Sequence, residues 1–175
     1  TSSLHAAPGD LDLSFGGGTG KVTTAIGASS DYGYSVIQQA DGKLVVAGSS
    51  YGSNSDFALA RYNANGALDT SFGGGTGKVT TAIGLSDDVG KSVIQQADGK
   101  LVVVGHKWSS SNEDVALVRY NADGSLDTGF DGDGKVTTDM GGNNDWAFSV
   151  IQQTDGKLVV AGYSQNGSDY DVALV

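Results

Sequence analysis

The sequence predicts an all-β repeat fold of the β-propeller type, built from three four-stranded antiparallel blades. The first observation is a repeat: Ser-Val-Ile-Gln-Gln, a turn with Asp-Gly-Lys, and Leu-Val-Val recur from Ser35, Ser92 and Ser149, 57 residues apart. The second is that the apolar residues of each copy alternate or form short β-branched runs between glycines, which is typical of strands. Because such a unit buries its apolar face only against its neighbours, the three copies are predicted to pack together.

Each copy contains four predicted strands in the same order: a Lys-Val-Thr-Thr segment, the Ser-Val-Ile-Gln-Gln segment, the Leu-Val-Val segment and a segment containing Ala-Leu. Asp-Gly joins the second strand to the third, and glycine there supplies the positive φ that tight hairpins require. The predicted strands are residues 21–26, 34–39, 44–50 and 56–63 in the first copy, 78–83, 91–96, 101–106 and 114–121 in the second, and 135–140, 148–153, 158–164 and 171–175 in the third.

The domain organisation follows from the repeat. Residues 1–8 are predicted to be a disordered tail, and residues 9–175 one domain with copies at about 9–65, 66–123 and 124–175. Near-continuous apolar runs fit a sheet covered on both faces, as in a propeller blade, and a β-solenoid-like stack is the alternative. Three blades are fewer than the about four to eight of ordinary propellers, so we predict a six-bladed homodimer, or else a fragment of a longer array.

Composition limits the partners. The formal net charge is −10, and only ten of the 175 residues are Lys or Arg, which disfavours nucleic acid because phosphate contacts need clustered basic residues. No apolar run of about 18 residues is present, so membrane insertion is not expected. The chain has no cysteine, which excludes disulfides and thiol chemistry.

Two loops of each copy diverge while the rest of the repeat is nearly uniform. They connect strands one and two and strands three and four, and in an up-and-down blade both lie on one face of the ring. Aromatic rings among Ser, Asn, Gly and Asp suit a carbohydrate or protein ligand. Packing over strand ends explains some of these rings equally well. The predicted ligand-binding residues are Tyr32, Tyr51, Trp108, Trp146, Tyr163 and Tyr170.

Aspartates recur before strands two and four, where a turn role as backbone hydrogen-bond acceptor is the favoured interpretation. Calcium is the alternative, because it takes oxygen ligands. Asp131 and Asp133 are the candidate metal ligands, since Asp131-Gly-Asp133-Gly matches part of a calcium loop, although the full spacing and the distal Glu are missing. No other cofactor is predicted.

The sequence predicts no enzyme. His5 lies in the tail and His106 at a strand end, where a solvated side chain is expected, and neither has the partner base or cysteine of a catalytic triad. Threefold repetition also argues against a unique active centre. The alternatives are a glycan-active enzyme with its site in the ring centre and a calcium-binding structural repeat module.

Three segments resemble the delta-60 repeat: Asp-Gly-Lys-Leu-Val-Val-Ala-Gly at 41–48, Phe-Ala-Leu-Ala-Arg-Tyr-Asn at 57–63, and Gly-Ala-Leu-Asp-Thr-Ser-Phe-Gly at 66–73. The resemblance covers nearly the whole chain. It implies a propeller-like repeat of large bacterial secreted or surface proteins, without general enzymatic activity. We therefore expect an extracellular or cell-surface binding or adhesion scaffold for a glycan or protein ligand.

Overall fold

The computed structural model describes residues 7–109, 111–141 and 143–175, so most of the predicted tail, including His5, lies outside the described residues. The described part of the chain forms three antiparallel sheets, each a blade. The predicted all-β, propeller-like architecture is confirmed. Blade 1 contains β1 (Asp31–Gln38), β2 (Leu44–Tyr51), β3 (Ser55–Tyr62) and β4 (Lys78–Thr81); blade 2 contains β5 (Asp88–Gln95), β6 (Leu101–Trp108), β7 (Glu113–Tyr120) and β8 (Lys135–Thr138); blade 3 contains β9 (Asp145–Gln152), β10 (Leu158–Asn166) and β11 (Asp169–Leu174).

The blades do not coincide with the sequence copies. The Lys-Val-Thr-Thr segment of each later copy crosses back to the preceding blade, so that β4 pairs with β3 and β8 pairs with β7. The prediction that the four strands of one copy form one sheet is therefore wrong. Residues 21–26, predicted as a strand, do not form one. The equivalent segments pair with the third strand of the preceding blade, and the described chain contains no blade before blade 1. Blade 3 accordingly has three strands among the described residues.

The hairpins between the first two strands of each blade form as the Asp-Gly turns predict. In blade 1 the N–H of Gln39 donates to the carbonyl of Lys43 over 2.8 Å, and Gly42 has a φ of 85°. The Asp41 carboxylate accepts a hydrogen bond from the N–H of Lys43 at 3.1 Å. The same contacts recur in the other two blades, so this aspartate is a turn residue in all three.

The hydrophobic core lies between the blades. Val103 of β6 faces blade 1, where it joins a cluster with Val45, Phe57 and Leu59. The neighbouring Val102 and Val104 point the other way and pack with residues of blade 3. Burial on both faces explains why β6 begins with the continuous apolar run Leu101–Val104, and each such side chain contributes about 1.5–3 kcal/mol.

The two ends of the blade stack differ in composition. At one end the divergent loops contact each other across blades: Asn54 Nδ2 donates to the Ser86 carbonyl at 2.6 Å. At the other end lie the uniform Asp-Gly turns and the connectors before β4 and β8, where Arg61 Nε donates to Asp69 Oδ2 at 2.7 Å. Within the described residues, no helix has the length and apolar character needed to cross a bilayer.

Candidate functional site

A β-bulge in the first strand of each blade sets the position of the site. In β9 the register passes from Ala147 opposite Gly162 to Ser149 opposite Ala161, which leaves Phe148 without a ladder partner. Glycine is required opposite the bulge, because a Cβ on Gly162 would lie 1.7 Å from the Trp146 carbonyl oxygen. A bulge redirects the extra side chain. The equivalent unpaired residues of β1 and β5 are Tyr34 and Lys91.

Five rings at the junction of blades 2 and 3 form a group that we call the aromatic cluster. Trp146 lies at its centre, with ring centroids 5.4 Å from His106 and 5.0 Å from Tyr163. Phe148 lies 5.2 Å from Tyr163, and Tyr170 packs edge-on against the same ring at 5.0 Å. Phe148 is 42 % exposed and Tyr170 56 % exposed. The cluster therefore presents aromatic surface to solvent on a base of packed rings.

Charged side chains lie beside the cluster. Trp146 Nε1 donates a hydrogen bond to the Glu113 carboxylate. Burial raises the pKa of Glu113, although this hydrogen bond and the charge of Lys91 oppose the increase. The arrangement gives a half-buried carboxylate next to exposed rings, which is a hydrogen-bond acceptor for a polar ligand that stacks on them.

His106 is buried, which contradicts the prediction of a solvated strand-end histidine. The reason is that Trp146 of the next blade stacks over it. Burial, with a smaller contribution from the charge of Lys91, lowers the pKa of His106 to about 4. The ring is therefore neutral at pH 7, and its 3.7 Å separation from Glu113 is too long for a hydrogen bond.

A smaller aromatic group lies on blade 1. Tyr32 and Tyr34 stack with centroids 6.3 Å apart, and both are about half exposed. The ammonium group of Lys91 lies 3.8 Å from the Tyr34 ring centroid, a cation–π contact. Burial lowers the pKa of Lys91, against the opposing charge of Glu113. Lys91 thus lies between this pair and the aromatic cluster.

The structure brings together three of the six predicted ligand-binding residues, Trp146, Tyr163 and Tyr170. Tyr32 belongs to the blade 1 pair instead. Tyr51 and Trp108 are the last residues of β2 and β6, both exposed, and the ring contacts found among the described residues do not join them to either group. Their backbone N–H groups donate to the preceding interblade loops, at Ser30 and Asp87.

The sequence prediction missed Tyr34, Lys91, Phe148, His106 and Glu113 as members of the site. A signal for the first three was present: they differ from one another within a strand that is otherwise nearly uniform among the copies. Glu113 also differs from the equivalent Ser55 and Tyr170, but its contact is with a side chain of another blade, which comparison of the copies does not predict.

The two predicted metal ligands lie in the connector between β7 and β8. Asp131 has a positive φ of 51°, and Asp133 accepts a hydrogen bond from the N–H of Lys135 at 2.9 Å. Both side chains are exposed. The turn geometry accounts for their positions.

Three other carboxylates meet at the junction of blades 2 and 3. Asp114, Asp139 and Asp145 each contribute one oxygen to a group whose atoms lie within 4.8 Å of one another. Asp145 also caps the interblade loop, because its Oδ2 accepts a hydrogen bond from the N–H of Met140 at 2.7 Å. Asp31 and Asp88 do the same in blades 1 and 2, which agrees with the predicted turn role.

Comparison with known proteins finds one family. A family model described as a domain of unknown function (DUF5122) β-propeller matches residues 39–72, 96–130 and 153–175, which together make up more than half of the chain. Each match begins at the residue that follows the first strand of a blade. No curated protein matches the chain.

Proposed function

The chain belongs to the DUF5122 β-propeller family, and on this premise we propose that it is a non-catalytic binding or adhesion module whose aromatic cluster holds a carbohydrate. The observation that carries the proposal is the concentration of exposed rings where the copies differ, on a scaffold that is otherwise repeated.

The chemistry of the cluster favours a sugar. Exposed aromatic faces pack against the apolar faces of sugar rings, and neighbouring polar groups bind hydroxyls. Phe148 and Tyr170 supply the exposed faces, and Glu113 supplies a carboxylate beside them. The rings are tilted or edge-on to one another, and Phe148 and Tyr170 are about half exposed rather than enclosed, which suits an extended polysaccharide better than a small molecule that needs enclosure.

The resemblance to the delta-60 repeat supports an extracellular or bacterial cell-surface location, where polysaccharides are available. The net charge of −10 favours neutral or cationic glycans over acidic ones, because like charges repel. Protein ligands remain the alternative for the same surface, since rigid aromatic residues surrounded by small polar ones also suit protein recognition.

The test is binding to a panel of neutral and aminated bacterial and plant polysaccharides by affinity electrophoresis. Two variants copy residues that the protein itself uses at equivalent positions, Phe148→Lys as in β5 and Tyr163→Ser as in β2, so the fold should tolerate them. We expect each to weaken polysaccharide binding at least about tenfold, because one stacking contact is lost.

Leu85→Ala is the control, because Leu85 is fully exposed in a different interblade loop. Equal retardation of the wild type and both cluster variants would contradict the placement of the site. Release of reducing sugar from a bound polysaccharide would instead support the alternative of a glycan-active enzyme and contradict the non-catalytic proposal.

We further propose that two chains close head to tail into a six-bladed ring. The surfaces left open on the outer sides of blade 1 and blade 3 are complementary. Val172 and Leu174 of β11 are 90 % and 65 % exposed, whereas the equivalent Val115 and Leu117 of β7 are buried. Val36 of β1 is 61 % exposed, whereas Val93 and Val150 are buried.

The sequence supports a second copy as the occupant of these surfaces. β7 is completed by a Lys-Val-Thr-Thr strand, and its core residues Asp-Val-Ala-Leu-Val are repeated at 171–175. The first Lys-Val-Thr-Thr segment, residues 21–24, has no strand partner within the described chain. Residues 21–24 of one copy are therefore suited to pair with β11 of the other, in the way that β8 pairs with β7.

A further inference from the structure

A group of three carboxylates at the junction of blades 2 and 3 has the dimensions of a cation site. Asp114 belongs to β7, Asp139 follows β8, and Asp145 begins β9. One oxygen from each lies within 4.8 Å of the others. Two oxygens bound to the same Ca²⁺, each about 2.3–2.6 Å from the ion, lie at most about 5 Å apart. The three oxygens are thus close enough to share one ion.

Asp145 provides a second, independent observation. Its side chain is completely buried, and only Oδ2 is engaged, by the N–H of Met140. Oδ1 is also buried but accepts no hydrogen bond from the described part of the chain. A buried carboxylate oxygen without a partner is costly, and a cation is the partner that compensates a full negative charge.

The other two carboxylates each have one oxygen already engaged. Asn112 Nδ2 donates to Asp114 Oδ1 at 3.1 Å, and the N–H of Gly141 donates to Asp139 Oδ1 at 2.7 Å. Lys107 is the basic residue beside them, with Nζ 4.0 Å from Asp114 Oδ2, which is beyond hydrogen-bond distance. Its charge offsets only part of the three negative charges.

The junction of blades 1 and 2 provides an internal comparison. Asp56 and Asp88 occupy the positions of Asp114 and Asp145, but Ala82 stands where Asp139 does. Burial, together with the charges of Asp88 and Asp87, raises the pKa of Asp56. Among the described residues, only at the junction of blades 2 and 3 do three carboxylates each place an oxygen within 4.8 Å of the others.

We propose that Asp114, Asp139 and Asp145 form a binding site for a calcium-like divalent cation that links blades 2 and 3. The donor set is all oxygen, which suits a hard cation rather than zinc or copper. Water would complete the coordination, because Asp139 is exposed. The site would tie β7, the segment after β8 and β9 together through one ion. This inference is independent of the proposed carbohydrate binding.

The experiment is isothermal titration of Ca²⁺ into chelator-treated protein, with thermal unfolding in Ca²⁺ and in chelator alongside. Asp139→Ala is the decisive variant, because alanine is the native residue at the equivalent positions 25 and 82 and should not disturb the fold. We expect one Ca²⁺ per chain in the wild type, with a Kd of about 10⁻⁴–10⁻³ M, and at least about tenfold weaker binding in Asp139→Ala.

Asp133→Ala is the matched control, because it removes an exposed acidic residue from the other candidate calcium segment. It should bind Ca²⁺ like the wild type and show the same increase in Tm. Absence of saturable binding in the wild type would overturn the proposal. Unchanged binding in Asp139→Ala, or loss confined to Asp133→Ala, would overturn it as well.

Discussion

The environment of His106 shows how a neighbouring blade changes the chemistry of one side chain. Ser49 and Tyr163 occupy the equivalent positions of the other blades, so no shared structural requirement selects histidine there. The ring is buried beneath Trp146, faces Glu113 at 3.7 Å, and has its Nδ1 buried without a partner among the described residues. Protonation would place an additional charge in this enclosed position.

Stability should therefore decrease as the pH falls from about 6.5 to about 4. In this window the unfolded chain protonates the histidine but the folded protein does not, because burial lowers its pKa to about 4. The shift corresponds to a loss of about 3 kcal/mol in the free energy of unfolding. Urea unfolding of the wild type and His106→Ser at pH 7 and pH 4 measures it.

Glu113 has a raised pKa and titrates with the opposite sign, since its protonation stabilises the folded state as the pH falls. It is present in both proteins, so the difference between them isolates the histidine. We expect His106→Ser to lose less stability on acidification than the wild type. Parallel pH profiles for the two proteins would contradict a buried, neutral His106.

At the scale of the element, the connectors before β4 and β8 are held by a repeated clamp. Arg61 donates to Asp69 at 2.7 Å and to the Ala122 carbonyl at 2.6 Å, and its guanidinium lies 4.5 Å from the centroid of the Phe72 ring. Burial, the largest influence, would raise the pKa of Asp69, but hydrogen bonds from Ser71 and Lys43 and the charge of Arg61 together lower it. The clamp thus joins one connector to the next.

Arg61→Ala should lower the free energy of unfolding by about 1–3 kcal/mol, because the buried Asp69 carboxylate loses a hydrogen-bond donor while Lys43 and Ser71 still contact it. Arg119 makes the equivalent 2.7 Å contact with Asp127, but its side chain is 20 % exposed against 8 % for Arg61. We expect Arg119→Ala to cost less. Chemical unfolding monitored by tryptophan fluorescence compares the two, and equal losses would contradict burial as the source of the difference.

At the scale of the whole molecule, the open edge of β11 leads to a prediction about assembly. Val172→Lys should leave the single chain folded, because this side chain is 90 % exposed, but it should prevent a second copy from covering the strand. Light scattering after size exclusion should show a dimer for the wild type and a monomer for the variant. Leu85→Lys is the control, since Leu85 is fully exposed and lies away from the open surfaces of β1 and β11.

A wild-type protein that is monomeric across the accessible concentration range would contradict the six-bladed homodimer. A dimer that persists unchanged in Val172→Lys would show that the copies associate through another surface, which contradicts pairing at β11. If the ring closes as proposed, each aromatic cluster is displayed twice in one particle, and the avidity for a repeating polysaccharide increases.

The sequence by itself determined the strands, the Asp-Gly hairpins and the division into uniform and divergent loops. These features depend on local patterns: alternation with a period of two, positive φ at Gly42 and its equivalents, and direct comparison of the copies. Eleven of the twelve predicted strands form, because each has a partner within reach.

Only the tertiary structure decided which sheet each Lys-Val-Thr-Thr strand joins, because the same four residues suit the sheet of their own copy or the preceding one. It also decided the burial of His106, which depends on a tryptophan 40 residues later in another blade. The carboxylates of Asp114, Asp139 and Asp145 likewise meet only because β7, β8 and β9 converge at one junction. Contacts between blades join residues that are distant in sequence, and a local pattern carries no information about them.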